Sequence, residues 1–285
     1  MSLPYYYLRL EPFRDAFRTG VPMLCYHHIA PPRRGARLKW LYVSPQIFAR
    51  QIAEFQSNGF STSESLTFEA SSEPGKVIAN QPDGNPQRRV VLTFDDGFCD
   101  MFEHALPLLR QNRLRSIAFL VSDLLGKTNE WQQKMGDIVE PLMDVAQVRD
   151  WLAAGQQIGS HTKTHSRLTQ LSLPDAREEI TASKKSLEDR FSVRIDHFCY
   201  PFGDWNKAVR DLVSEAGYKT ACTTVPGVNT AETPPFELNR YLAGYRARTL
   251  KTIWQRLRVH LGPITSAITR GVGHRPGQSN AGMQA

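Results

Sequence analysis

Val90-Val91-Leu92-Thr93-Phe94-Asp95-Asp96-Gly97 is an apolar run that stops at two adjacent carboxylates and a glycine. The run reads as a buried strand of a parallel sheet. The carboxyl edge of such a sheet is where α/β proteins carry their chemistry. Neighbouring side chains on an extended strand point opposite ways. One carboxylate is therefore expected on a metal and the other in a separate role beside it.

A second signal is His161-Thr162-Lys163-Thr164-His165. The spacing predicts two imidazoles on one face of a helical turn, able to share a cation. Asp with two His is a common ligand set for a hydrolytic zinc site that keeps open positions. Alone, Asp-Asp-Gly is more often a turn or a cap, and His-x-x-x-His occurs by accident on many helices. Here each follows an apolar strand-like run within one domain-sized chain, and this favours a shared metal site.

The 285 residues, 41% hydrophobic and 22% charged, describe an ordinary globular chain with one sizeable core. The formal charge of +7 comes from scattered Arg and Lys with no basic arm. Nucleic acid is therefore not an expected partner, and attraction to anionic headgroups or an anionic carrier is a weak expectation. Cys25, Cys99, Cys199 and Cys222 form no Cys-x-x-Cys pair and read as free thiols of a reducing compartment. The N-terminus lacks an apolar core of signal-peptide length, and nothing approaches a transmembrane span. These features point to a cytoplasmic protein, at most peripheral at the inner membrane. Oligomeric state is not legible.

Residues 1–20 read as an extension, 21–245 as the catalytic domain, and 246–285 as an amphipathic helix (250–261) with a disordered tail that could dock on a membrane surface. Within the domain a strand is expected at Val21–Tyr26, then a helix opened by Ser44-Pro45 and stopped by Gly59. Residues 67–88 read as a polar loop. A helix at 101–111 and a strand at 117–121 follow. Next come a long connection at 126–144 containing Trp131, a helix at 146–154 and a strand at 157–160. Helices at 174–190 and 207–216 flank a strand at 197–200, and strands at 218–224 and 236–242 finish the domain. The alternation argues for a parallel sheet, closed as a barrel or open.

Taken together, Thr93-Phe94-Asp95-Asp96-Gly97 and His161-Thr162-Lys163-Thr164-His165 resemble the motifs of the polysaccharide deacetylases, the NodB-homology group of carbohydrate esterase family 4. The resemblance runs over residues 21–243 and implies an α/β fold, a deformed (β/α) barrel that need not be complete. It implies that Asp95 is the catalytic base and that Asp96, His161 and His165 hold the metal. Phe198-Cys199-Tyr200-Pro201-Phe202-Gly203 matches the third motif without its usual Arg, as in a subgroup with exopolysaccharide and poly-N-acetylglucosamine deacetylases. The late Leu-x-His motif is not evident. In that subgroup an N-terminal Tyr-His supplies the acid, which implies His27 of Tyr26-His27-His28, with His28 structural. Arg240, at the end of a predicted strand, is the candidate for the missing arginine.

The function implied is a metal-dependent hydrolase that removes N-acetyl groups from glucosamine-type sugars in envelope or exopolysaccharide synthesis. Zn2+ is the expected metal, and Co2+, Ni2+ or Mn2+ would suit similar ligands. The backbone N–H of Phe202, in a loop fixed by Pro201, is the expected oxyanion donor. Tyr200 and Trp131 are assigned to the substrate side, and Trp205 is a further aromatic able to stack on a sugar. Two alternatives stand beside this reading: a deacylase or deformylase of a lipid- or nucleotide-linked amino sugar, and a sugar-binding module with a decayed site.

Overall fold

The structure is a computed structural model that describes residues 20–62, 66, 68–70, 77–79 and 88–243. The predicted N-terminal extension, the amphipathic segment 250–261 and the tail lie outside the described residues, apart from Gly20.

Strand β1 (Val21–Tyr26) pairs in parallel with β5 (Arg88–Phe94), in the register Met23 to Val91 and Tyr26 to Phe94. From β5 the parallel sheet continues through β6 (Ile117–Leu120), β7 (Gln157–Ser160), β8 (His197–Cys199) and β9 (Thr220–Cys222). Strand β2 (Phe60–Thr62) pairs with the start of β5, and β10 (Val228–Asn229) lies antiparallel to β1. Strand β11 (Tyr241–Leu242) pairs in parallel with β1, while Leu238, just before it, bridges to Cys222 of β9. One short segment thus reaches both edges of the curled sheet, giving the deformed (β/α) barrel that the resemblance implies.

The period of two along each strand sorts side chains into two layers. Leu24, Tyr26, Leu92, Phe94, Ala118, Leu120, Ile158 and Phe198 face outward in one large buried cluster. Their partners include Ile47, Phe48 and Ile52 of α1 (Pro45–Ser57), Trp151 of α4 (Val145–Ala153), and Ile180 and Leu187 of α5 (Leu173–Phe191). The alternate residues Met23, Val91, Ile117, Phe119, Cys199 and Leu238 form a second cluster inside the curl. Gly159 of β7 is required there: a Cβ would stand 2.6 Å from the Phe119 ring. Following the inward positions toward the carboxyl ends leads from Met23 to Cys25 and His27, and from Val91 to Thr93 and Asp95.

Ser44 caps α1 by accepting from the Ile47 N–H, with Pro45 in the first turn. The predicted helix at 101–111 is interrupted: a π-helical turn, Met101–Ala105, precedes α2 (Leu106–Gln111). Pro107 lacks the N–H that a continuous α-helix needs there. Residues 67–88, expected as a loop, contain an antiparallel pair, β3 (Phe68–Ala70) with β4 (Val77–Ala79), and the first residue of β5. Three-residue strands are too short to show a period beside the turn signals of Ser-Ser-Glu-Pro-Gly-Lys. The connection at 126–144 carries one short helix, α3 (Glu130–Gln133). The expected strand at 236–242 shortens to its last turn of pairing, and 218–224 narrows to β9. Helix α6 (Lys207–Glu215) packs Val209 and Val213 on the outer layer.

Candidate active site

Asp95 lies just past β5, its N–H donating to the Tyr26 carbonyl at 2.9 Å. Arg240 comes from the closing segment and grips Asp95 with both arms, Nη1 to Oδ1 at 2.7 Å and Nη2 to Oδ2 at 2.8 Å. The guanidinium also donates to the Thr223 carbonyl, to Thr93 Oγ1 and to Cys199 Sγ. Burial alone would raise the Asp95 carboxyl, but the charge and hydrogen bonds of Arg240 more than offset it and hold the group far below the usual carboxylate range.

Asp96 does not continue the strand. Its φ is +74°, in the left-handed region, and Gly97 follows at +81°. The turn, rather than strand alternation, separates the two carboxylates and sends Asp96 toward the histidines. Its Oδ1 lies 3.3 Å from His161 Nε2 and 3.2 Å from His165 Nε2, all buried.

The histidines also arrive differently from the expectation. Residues 161–165 form an irregular loop, not a helical turn, with φ of +68° at Thr162 and +64° at His165. A β-branched residue in that region is strained, so the surroundings must hold it. They do so from two sides. Glu179 of α5 accepts from the N–H groups of Lys163 and Thr164 at 3.0 and 2.9 Å. Ser122 and Asp123 donate their N–H groups to the carbonyls of Thr162 and Lys163. Thr162 Oγ1 in turn accepts the His165 N–H.

These three side chains fit a divalent cation. His161 Nδ1 lies 2.8 Å from the Cys199 carbonyl oxygen, which can only accept, so Nδ1 carries a proton and, in the neutral ring that a metal ligand needs, Nε2 presents a lone pair. That lone pair and the Asp96 carboxylate oxygen are then two acceptors 3.3 Å apart, and Asp96 Oδ1 has no hydrogen-bond donor. A cation between them removes the conflict. Asp96, His161 and His165 are also a cluster whose ligand atoms all lie within 4.8 Å of one another.

His27 follows β1 on the same inward face as Cys25, with Nε2 3.9 Å from Asp95 Oδ2 and its side chain 15% exposed. Burial lowers its pKa, against the pull of Asp96 and Asp95. His28 points away and is fully buried between the rings of Tyr42 and Phe98, with Nδ1 2.7 Å from Asp100. Trp131 stacks on His165 at 4.1 Å, and Phe202 meets the same imidazole edge-on at 4.6 Å. Phe202 holds φ of +61° after a buried Pro201. Tyr200 sits in the core, its hydroxyl donating to the Phe236 carbonyl, so its ring does not reach the site. Trp205 stacks on Tyr200 and packs on the outer layer.

Sequence reasoning read the four cysteines as buried or free thiols, and all four are free. It missed that Cys25 and Cys199 flank Asp95, their sulfurs 3.3 and 3.5 Å from Oδ2. Their inward strand positions carried that signal. Glu179 was missed as well, since a surface-type Glu on a charged helix has no local mark of its role.

A family model described as polysaccharide deacetylase matches residues 83–221. The Bacillus subtilis (strain 168) protein YxkH is 24% identical over 220 residues, 77% of this chain and 70% of that protein. The chitooligosaccharide deacetylase of Bradyrhizobium sp. (strain ANU 289) is 24% identical over 145 residues, 50% of this chain and 58% of that protein. The Streptococcus pyogenes deacetylase PplD, solved in complex with acetate, superposes with a TM-score of 0.65 at 23% identity, covering 78% of this chain and 92% of that one. Over residues 83–221, just under half of the chain, this curled α/β sheet is similar to the polysaccharide deacetylase family.

Proposed function

We propose that this chain is a metal-dependent N-deacetylase of N-acetylated glucosamine-type sugars, with its catalytic unit in residues 21–245. The observation that supports it best is the convergence of Asp96, His161 and His165 beside an Asp95 that is clamped by Arg240 and faces His27. Asp96, His161 and His165 would hold the metal, zinc first among the divalent ions that suit one carboxylate and two imidazoles. Bound there, it supplies Lewis-acid polarisation of the acetamide carbonyl and brings the pKa of a water toward neutrality.

The chain's own residues move the proton. Asp95, kept ionised and oriented by Arg240, accepts a proton from the attacking water as the new C–O bond forms. The same clamp makes Asp95 a poor place for that proton to stay. His27, its pKa lowered so that it rests neutral, lies 3.9 Å away and takes it up. The imidazolium then donates to the amine nitrogen as the C–N bond breaks, which amide cleavage needs because an unprotonated amine leaves poorly. The water's proton ends on the amine, and the products are acetate and a free amino sugar. The Phe202 N–H, in a turn set by Pro201, is the proposed donor to the carbonyl oxygen as it becomes negative. Trp131, partly exposed and stacked on His165, is the proposed platform for the sugar ring.

Met135 and Val139, on the same connection as Trp131, are 45% and 42% exposed. They favour a second reading in which the amino sugar is linked to a lipid, a substrate suited to a cytoplasmic protein at the inner membrane. No described helix is long and apolar enough to cross a membrane. Acetate release from N-acetylglucosamine, its oligomers and a lipid-linked form, with metal-loaded and chelator-stripped protein, tests both readings. Metal-dependent release from oligomers supports the first, and release from the lipid-linked form alone supports the second. Release that survives complete metal removal would overturn the scheme.

A further inference from the structure

Cys25 has no part in the reaction above, yet its sulfur is built into the site. Sγ lies 3.3 Å from Asp95 Oδ2 and 3.9 Å from His27 Nδ1, while His27 Nε2 lies 3.9 Å from the same carboxylate oxygen. Donors on one tetrahedral zinc, at bond lengths near 2.0–2.3 Å, stand roughly 3.3–3.8 Å apart. An imidazole gives one ion only one of its two nitrogens; with one such nitrogen of His27, Cys25 Sγ and an Asp95 carboxylate oxygen, the three ligand atoms all lie within 4.8 Å of one another, close to the spacing of a three-ligand set. The set shares no residue with Asp96, His161 and His165. It also differs in kind, since a sulfur donor selects soft or borderline ions.

We infer that Cys25, His27 and Asp95 form a second, inhibitory site for a thiophilic divalent cation such as Zn2+ or Cd2+. The ion takes the place of the Cys25 thiol proton, which is released to solvent as the S–metal bond forms. Asp95 contributes Oδ2, which shares its 2.8 Å bond from Arg240 Nη2 with the ion, and keeps Oδ1 on Arg240 Nη1, 2.7 Å away. Occupancy removes the water's proton acceptor and the amine's proton donor together, so the enzyme stops while its first metal stays in place. Arg240 beside the set opposes a further positive charge, which makes this the weaker of the two sites, filled only under metal excess. Cys199 is the less suited thiol, because Arg240 Nη2 already donates to its sulfur at 3.1 Å.

The inhibition rests on the deacetylase reading, whereas the second equivalent of metal does not. Titrating apo full-length protein with Co2+ separates the two, because a cobalt–thiolate bond adds an intense near-ultraviolet charge-transfer band. The first equivalent should bind without that band and the second with it, and Cys25→Ala should lose it. Excess Zn2+ should inhibit the wild type, and Cys25→Ala should retain basal activity while needing roughly 10–100-fold more Zn2+ for the same inhibition. If no activity is found at all, the spectral titration alone decides the second site. Absence of the band from the wild type at two equivalents overturns the inference. So does a band that persists in Cys25→Ala, which would move the ligation to Cys199.

Discussion

Asp95 carries one of the most constrained charges in the molecule. Both of its oxygens are held by Arg240, itself 2% exposed. Buried pairs of this kind owe little net stability to their attraction but lose much when one partner goes. Arg240→Met should therefore cost about 3–5 kcal/mol in chemical denaturation. It should also leave burial as the dominant influence on Asp95, raising its pKa. The folded enzyme should then lose turnover as the pH falls through the carboxylate range, where the wild-type Asp95 stays ionised. A pH–rate profile of the variant that matches the wild type would remove Arg240 from its positioning role.

At the level of elements, the histidine loop shows how a strained segment is stabilised from its neighbours. Thr162 and His165 keep left-handed backbones because Glu179 on α5 satisfies two N–H groups of the loop and also accepts from Thr164 Oγ1 at 2.6 Å. Glu179→Ala should lower metal affinity roughly 10–100-fold, while turnover at saturating metal stays within a few-fold. Competition with a chromophoric chelator measures the first and steady-state kinetics the second. An unchanged affinity would show that the loop holds its shape unaided. The same loop marks a limit of the sequence. His-x-x-x-His signals two imidazoles near each other, and this was legible, but a helical turn and a doubly left-handed loop satisfy the spacing equally. Strands β1 and β7 were legible to the residue because each is an apolar run closed by a chemical signal. The β3–β4 pair and β10 were not, since two or three residues cannot show a period. Arg240 was expected at the end of a strand over 236–242, but it stands immediately before β11, Tyr241–Leu242. Its grip on Asp95 depends on sheet closure, which no local pattern encodes.

The whole molecule brings the site together by curling one sheet until the segment from Leu238 to Leu242 touches both β9 and β1. Global stability is also tied to pH at a position apart from the chemistry. His197, at the start of β8, has its pKa lowered by burial from 6.5 to about 4, with Asp196 pulling upward and Lys219 and Lys184 downward. The unfolded chain takes up a proton at this residue near pH 6.5, whereas the folded chain resists until about pH 4. Stability should therefore fall as the pH drops through that window. Allowing for partial exposure, His197 should account for about 1–2 kcal/mol between pH 7 and 5. Urea denaturation at both pH values should show a smaller loss for His197→Gln, and an equal loss would contradict the assignment.

The central claim is that Asp95 removes the water's proton at a site whose metal is held by other residues. Acetate release from N-acetylglucosamine oligomers by metal-loaded wild type and Asp95→Asn, with metal content measured on the same samples, tests it most directly. The variant strands the Arg240 charge, so bound metal also reports that the site is still folded. The account predicts one metal retained at the first site and turnover lower by roughly 10²–10⁴. Near-normal turnover in a metal-loaded Asp95→Asn would contradict it.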